Sequence, residues 1–186
     1  LFVPKASVNK DIDVSFVGAW HPYREWLIKQ LKKDGVNVQV FGHRWKKGMI
    51  STEEMIKVFQ RSKICLNLSN SISYDVRYLL SSPRAIINTI RSKKSSEQIK
   101  GRHFEIPACG AMQLSYYVEG LEHMFDIGSE LEVFTSVTDL IEKVQFYLKH
   151  EDKRINLALA GYQRVLREHA YSKRFVEIFK LLEWCC

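Results

Sequence analysis

Short apolar runs alternate with amphipathic stretches over the first two-thirds of the chain, and the last third is almost continuously amphipathic. "IDVSFVGAW" (12–20) is rich in β-branched and aromatic side chains and ends at Gly18, with Pro22 just beyond, which predicts a strand followed by a turn. "YREWLIKQLKKDG" (23–35) places Trp26, Leu27 and Leu31 at helical spacing and stops at Gly35. "VNVQVFG" (36–42) alternates apolar and polar positions and ends at Gly42, a second strand. "STEEMIKVFQRS" (51–62) opens with Ser51-x-x-Glu54, the spacing of a capping box, and predicts a helix. "KICLNLSNS" (63–71) is a third strand that ends in hydroxyl and amide side chains. Strands and helices alternating at this interval imply parallel pairing through right-handed crossovers. The fold class is therefore α/β: a Rossmann-like parallel sheet with helices on both faces.

Residues 71–97 are less regular; "YDVRYLLSSPRAIINTIRSKK" reads as two short helical pieces broken at Pro83, or as a mobile excursion. "GRHFEIPAC" (101–109) is a short helix with Pro107 near its start or at a kink. "AMQLSYY" and "SELEVF" read as strands, with a helical turn at "LEHMF" between them. Three helical stretches follow: "VTDLIEKVQFYLKH", "EDKRINLALAGYQRVLREH" and "SKRFVEIFKLLEW". There is no internal repeat and no low-complexity tract.

Composition narrows the class. With 186 residues, 46% hydrophobic and 26% charged, the chain suits one sizeable core. Its start, "LFVPKASVNKDID", lacks Met and reads as a linker (1–10) entering a domain (11–186), the expectation being a piece of a longer protein. No apolar run approaches the roughly 18–20 residues of a membrane span. Four cysteines, including the vicinal Cys185 and Cys186, show neither a disulfide framework nor zinc-ligand spacing, a pattern that suits the reducing cytoplasm. Lys and Arg total 28 against 21 Asp and Glu, a net charge of +7. That charge favours anionic partners: nucleotide diphosphates, an acidic membrane surface, or nucleic acid.

In a doubly wound sheet, ligands bind beyond the carboxyl ends of the strands. The stretches following the first three strands, Gly18 to Arg24, Gly42 to Trp45 and Ser69 to Ser71, are therefore candidates. None forms G-x-G-x-x-G, and neither a P-loop nor a G-x-S-x-G elbow occurs, which argues against dinucleotide, P-loop and α/β-hydrolase chemistry. What remains is Lys100, Arg102 and Glu105. Two cations suit a pyrophosphate, Arg as a fork and Lys as a point charge, while a carboxylate accepts from ribose hydroxyls. A helix start beside them would add anion affinity. The same residues read equally well as an Arg102–Glu105 i,i+3 surface pair. Other readings stay open beside these. Trp20 and Trp45 suit either stacking on a ligand or burial at the sheet rim, and one of Tyr116 and Tyr117 is expected to face the cleft. His21, His43 and His103 are read as surface or loop histidines, His169 as a helix-end dipole partner, and Cys109 as a packing residue.

Taken in order, "DVSFVGAWHPYREWLIKQL", "VFGHRW", "EEMIKVFQRSKICLNLS", "QIKGRHFEIPACGAMQLSYYVEGLEHMF", "GSELEVFTSVTDLIEKVQFYL" and "LALAGYQRVLREHAYSKRF" resemble the glycosyltransferase group 1 superfamily of GT-B fold. Within it they resemble the C-terminal domain of the branch that includes CgeB-like spore-maturation proteins. The resemblance implies a donor-binding half whose partner substrates are a nucleoside-diphosphate sugar and an unknown acceptor, with neither metal nor resident cofactor. It implies Lys100 and Arg102 as the catalytic cations at the diphosphate. Glu105 would hold the ribose, with Gly18, Arg24, Gly42, Arg44 and Gly110 completing the donor site. Glu97 matches the superfamily's E-x7-E spacing, a match equally open to accident. Tyr171 and Arg174 are expected to pack the last helices rather than touch donor. The acceptor domain would be missing, leaving this chain able to bind a nucleotide but inactive alone. A non-catalytic sugar-nucleotide module is the alternative, and a basic nucleic-acid-binding domain a minor one; no nucleic-acid motif occurs. Peripheral contact with acidic lipid is compatible with the charge, although no amphipathic anchor stands out.

Overall fold

The computed structural model describes residues 8–69, 75–91 and 97–182. The Cys185–Cys186 pair, most of the 1–10 linker, residues 70–71 of the third-strand loop and most of the "RSKK" cluster lie outside the described residues.

Five parallel strands form one sheet in the order β2-β1-β3-β4-β5: β1 (Ile12–Val17), β2 (Val38–Phe41), β3 (Ser62–Asn67), β4 (Gln113–Tyr116) and β5 (Glu132–Phe134). Register follows from Val14 opposite both Val38 and Ile64, and from Leu114 opposite Leu66 and Glu132. The Rossmann-like α/β expectation is met, and the order puts the topological switch between β1 and β3.

Alternation along the central strands sends side chains to two separate cores. On one face Val14, Phe16, Ile64 and Leu66 pack with Leu27 and Leu31 of α1 (Pro22–Lys33) and with Leu140 and Val144 of α6 (Val137–Lys149). On the other, Val17 and Cys65 meet Val58 and Phe59 of α2 (Thr52–Arg61) and Ile106 of α5 (Arg102–Ala108). Helices thus cover both faces.

Local chemistry explains the boundaries. The capping box is formed: Glu54 N–H donates to Ser51 Oγ at 3.2 Å, and Ser51 N–H to the Glu54 carboxylate at 2.9 Å. Pro83 does divide two helical pieces, α3 (Val76–Leu79) and α4 (Pro83–Arg91), standing at the first position of the second, where its missing N–H costs nothing. Pro107 differs from expectation. It sits in the last turn of α5, and the helix ends at Cys109 and Gly110, whose N–H groups close onto Ile106 and Pro107 carbonyls. The final helices are α7 (Glu151–Arg164), a π-helical turn over Val165–His169, and α8 (Tyr171–Leu181). Gly161 lets α7 touch the β4–β5 connection, because a Cβ there would stand 2.2 Å from the Glu130 carbonyl oxygen.

Candidate functional site

The loops after β1 and β2 are locked by their glycines. Gly42 has φ +132, and a Cβ on it would lie 2.2 Å from the Gly18 carbonyl oxygen. Three hydrogen bonds hold this contact: Gly18 N–H to Phe41 O at 3.0 Å, Trp20 N–H to His43 O at 2.9 Å, and Trp45 Nε1–H to Gly18 O at 2.9 Å. Trp45 also meets the Phe16 ring edge-on at 6.1 Å, which makes it a rim-packing residue. Trp20 donates through Nε1 to Glu25 at 3.0 Å.

This cradle fixes the start of α1 and so Arg24, in its first turn. The Arg24 guanidinium donates to the Ala19 carbonyl at 2.9 Å and to the Ser69 carbonyl at 3.4 Å, spanning the switch point from β1 to β3. Lys100 Nζ reaches the same Ser69 oxygen at 3.3 Å. Two cations from separate parts of the chain thus converge on one neutral acceptor at the carboxyl end of β3. Burial lowers the Arg24 pKa from its ordinary value, and the charge of Glu97 partly offsets this. Burial raises the Tyr116 pKa, and Glu97 adds to that rise. Glu97 therefore belongs to the same electrostatic neighbourhood as Arg24 and Tyr116. Tyr116 is the half-buried tyrosine beside the site, edge-on to Phe134 at 5.6 Å, while the Tyr117 hydroxyl donates to Glu122 at 3.2 Å.

Arg102 is placed differently from Lys100. Its Nη1 donates to Glu105 Oε2 at 2.7 Å, and its guanidinium stands over the Phe59 ring at 5.4 Å and touches Met55 Sδ. The i,i+3 pair, one of the two readings of these residues, is therefore formed, and its cation is directed toward α2 rather than toward Ser69. Glu105 in turn lines a cavity of about 650 Å³ with Ile99, Lys100, Phe104, His169 and Tyr171, a size suited to a small ligand. Arg174 stacks over Phe104 at 4.3 Å and donates to His169 Nδ1 at 3.2 Å, so it packs the last helices, but together with Tyr171 it also lines this cavity, where the sequence reading expects neither. His169 donates through Nε2 to the Met124 carbonyl at 2.8 Å, a structural tie across the fold rather than the expected helix-end dipole contact.

Gly18, Gly42, Arg24 and Lys100 are thus gathered at the carboxyl ends of β1, β2 and β3. Arg44 is exposed at φ +65, in the turn Gly42–Gly48 whose ends join by Gly42 N–H to Gly48 O at 2.7 Å. Gly110 lies apart from all of these. It precedes β4, at the amino end of the sheet, beside a cavity lined by Lys10, Lys63 and Arg154. Its φ of +66 makes it the turn residue that ends α5, and this position separates it from Gly18 and Gly42.

One of the histidine readings is overturned by burial. His103, read as a surface or loop histidine, is fully buried, and burial lowers its pKa to about 4. Its Nδ1 lies 3.1 Å from both the Lys100 amide nitrogen and carbonyl oxygen, so it braces the backbone that carries Lys100. The Ser69 carbonyl has no side-chain signature at all, whereas Glu97 had one in its spacing to Glu105. Cys109 is buried and its thiol is pushed up to about 12, which fits packing and not nucleophilic attack.

The chain belongs to the glycosyl transferase-like family, whose sequence pattern matches residues 24–180. No curated protein matches the chain closely enough to count as a relative. Its fold matches those of larger glycosyltransferases. An S. aureus TarM variant solved with fondaparinux, alpha-GlcNAc-glycerol and UDP superimposes with a TM-score of 0.65 at 10% identity, over 96% of this chain and 36% of its own. Sucrose-phosphate synthase from Thermosynechococcus elongatus gives 0.63 at 14% identity, over 98% and 49%. The C-terminal domain of the group 1 family glycosyl transferase LpcC from Francisella tularensis gives 0.55 at 10% identity, over 91% and 96%. The chain therefore spans about a third to a half of the two larger enzymes and nearly the whole of that separate C-terminal domain.

Proposed function

We propose that this chain is the nucleotide-sugar-binding half of a GT-B glycosyltransferase that moves a sugar from a nucleoside diphosphate to an acceptor held by a separate N-terminal domain. The convergence of Arg24 and Lys100 on the Ser69 carbonyl, at the switch point of the sheet, carries this reading. In sugar transfer the bond between the anomeric carbon and the diphosphate breaks, and the leaving oxygen gains negative charge. Arg24 and Lys100 stabilise that charge from fixed positions, without a metal ion. Glu105 accepts from the ribose, with Arg102 holding its carboxylate through the 2.7 Å bond, so Arg102 acts by positioning rather than at the diphosphate. The nucleoside occupies the cavity between α5 and α8, and Glu97 faces the sugar side. Gly18, Gly42 and Arg44 shape the phosphate-side loops. On this reading the chain acts in the cytoplasm and transfers nothing until an acceptor domain joins it. The resemblance to the CgeB-like branch rests on the six quoted stretches and stands as part of the same proposal.

Calorimetric titration with UDP, GDP, ADP and CMP tests the assignment. One nucleotide is expected to bind in preference. Glu105→Ala should weaken it by about 1.5–3 kcal/mol, the range for hydrogen bonds to a charged group. Lys100→Met should weaken the diphosphates but not CMP. Binding that is indifferent to both substitutions would sink the site and leave only the fold.

A further inference from the structure

We propose that the cavity between the amino edge of the sheet and α7 is a binding site for a small monoanionic amphiphile, an acyl carboxylate. The cavity has a volume of about 440 Å³, which suits a small ligand, and lies at the opposite end of the strands from Arg24 and Ser69. Lys10 stands just before β1, Lys63 at the second residue of β3 and Arg154 near the start of α7, so three separate elements bring their cations to one place. Most of the remaining lining is apolar. Met112 enters from the foot of β4, and Ile155, Leu159 and Tyr162 share one flank of α7 by their i, i+4 and i, i+3 spacing. Ile155 and Leu159 are exposed, at 54% and 53%, although both are large aliphatic side chains. From Ile155 to Tyr162 this wall is about 10 Å long, at a rise of about 1.5 Å per residue, which matches a medium-chain acyl group.

The balance of charge selects the ligand. Lys63 Nζ is paired with Asp13 at 2.7 Å. Arg154 is buried; its Nη1 donates to the Tyr147 carbonyl at 2.7 Å, and its Nη2 lies 3.6 Å from Glu151, an exposed carboxylate. Lys10 differs from both, since it has neither an ion pair nor a hydrogen bond among the described residues. Burial lowers its pKa, and the charge of Arg154 lowers it further. The groups placed to offset its charge are the Cys65 and Cys109 thiols, but burial pushes these up to about 11 and about 12, so both are neutral at neutral pH. Two of the three cations are therefore matched by carboxylates, and one desolvated positive charge is left over beside an apolar wall. An anion entering the cavity would supply the partner that burial denies to Lys10. A carboxylate carries the single charge required, whereas a phosphate monoester brings nearly two. A neutral apolar ligand would leave Lys10 as it is, and a nucleic acid would set its phosphates against Ile155 and Leu159.

The inference is independent of the donor site, and calorimetric titration of the chain with octanoate tests it. Octanoate should bind, with acetate and octanol each weaker by about tenfold or more, because one lacks the apolar body and the other the charge. Lys10→Met should weaken octanoate by about tenfold or more and leave octanol unchanged. Leu159→Asp, at an exposed position of the wall, should weaken octanoate as well. Far-UV circular dichroism of each variant establishes that the fold is retained. A second readout needs no ligand: Lys10→Met removes a desolvated charge without a partner, so the urea midpoint of the free chain should stay equal or rise. A lowered midpoint would give Lys10 a structural partner and overturn the proposal. So would a failure of octanoate to bind, equal binding of octanol, or an octanoate affinity unchanged in Lys10→Met. Octyl phosphate binding more tightly than octanoate would overturn it too, by giving the site to a phosphate ester.

Discussion

Replacing Gly42 by alanine tests whether the close approach of the β1 and β2 loops organises the candidate site. The new Cβ would lie 2.2 Å from the Gly18 carbonyl oxygen, at a φ of +132 that L side chains avoid. An unstrained carbon–oxygen approach is about 3.3 Å, so the two loops must part by roughly 1 Å. That movement is of the overpacking kind, at about 1–3 kcal/mol. The backbone conformation adds about 1–3 kcal/mol. The expected total is about 4 kcal/mol, which for a domain of this size lowers Tm by roughly 8–16 °C. Gly48→Ala is the matched control. It has φ +72 in the same turn with nothing within 4 Å of its Cβ, so it carries only the left-handed penalty of about 1–2 kcal/mol. Urea unfolding followed by tryptophan fluorescence measures both, with Trp45 bonded to Gly18 as a local reporter. If the two variants differ by less than about 1 kcal/mol, the glycine is there for backbone conformation alone and the close-approach argument fails.

Two further expectations follow from buried and capping groups. His103 has a folded pKa near 4 against an ordinary 6.5, so between those values the unfolded chain binds a proton that the folded chain excludes. Its contribution is complete above pH 6.5 and declines as pH falls toward 4, by about 3 kcal/mol in all. Urea midpoints at pH 7 and pH 5 should differ in the native chain and much less in His103→Asn; an unchanged pH slope in the variant would rule His103 out. Ser51→Ala removes the cap of α2 and should cost about 1 kcal/mol. A loss under about 0.3 kcal/mol would mean that solvent replaces the bond.

Much of the fold was legible because its signals are local. The run 12–17, the Ser51–Glu54 spacing, the break at Pro83 and the stop at Gly35 each depend on side chains within a few residues of one another. The candidate site was legible only in part. Arg24 and Lys100 were named from sequence, but nothing in the sequence says that they share the Ser69 carbonyl, 45 and 31 residues away along the chain. Arg102 looks like a second phosphate cation until α2 is packed beside it, and Phe59 and Met55 then give it another place.

The sequence by itself determined the succession of elements and the α/β class, since periodicity, caps and turn residues act over one or two turns, and its ordered stretches carry the match to the glycosyl transferase-like family. Only the tertiary structure decided the strand order that sets the switch between β1 and β3, the burial of His103, and the distance of Gly110 from the other glycines. These depend on which faces pack together. That choice is settled by the burial of whole surfaces, which no short stretch of sequence contains.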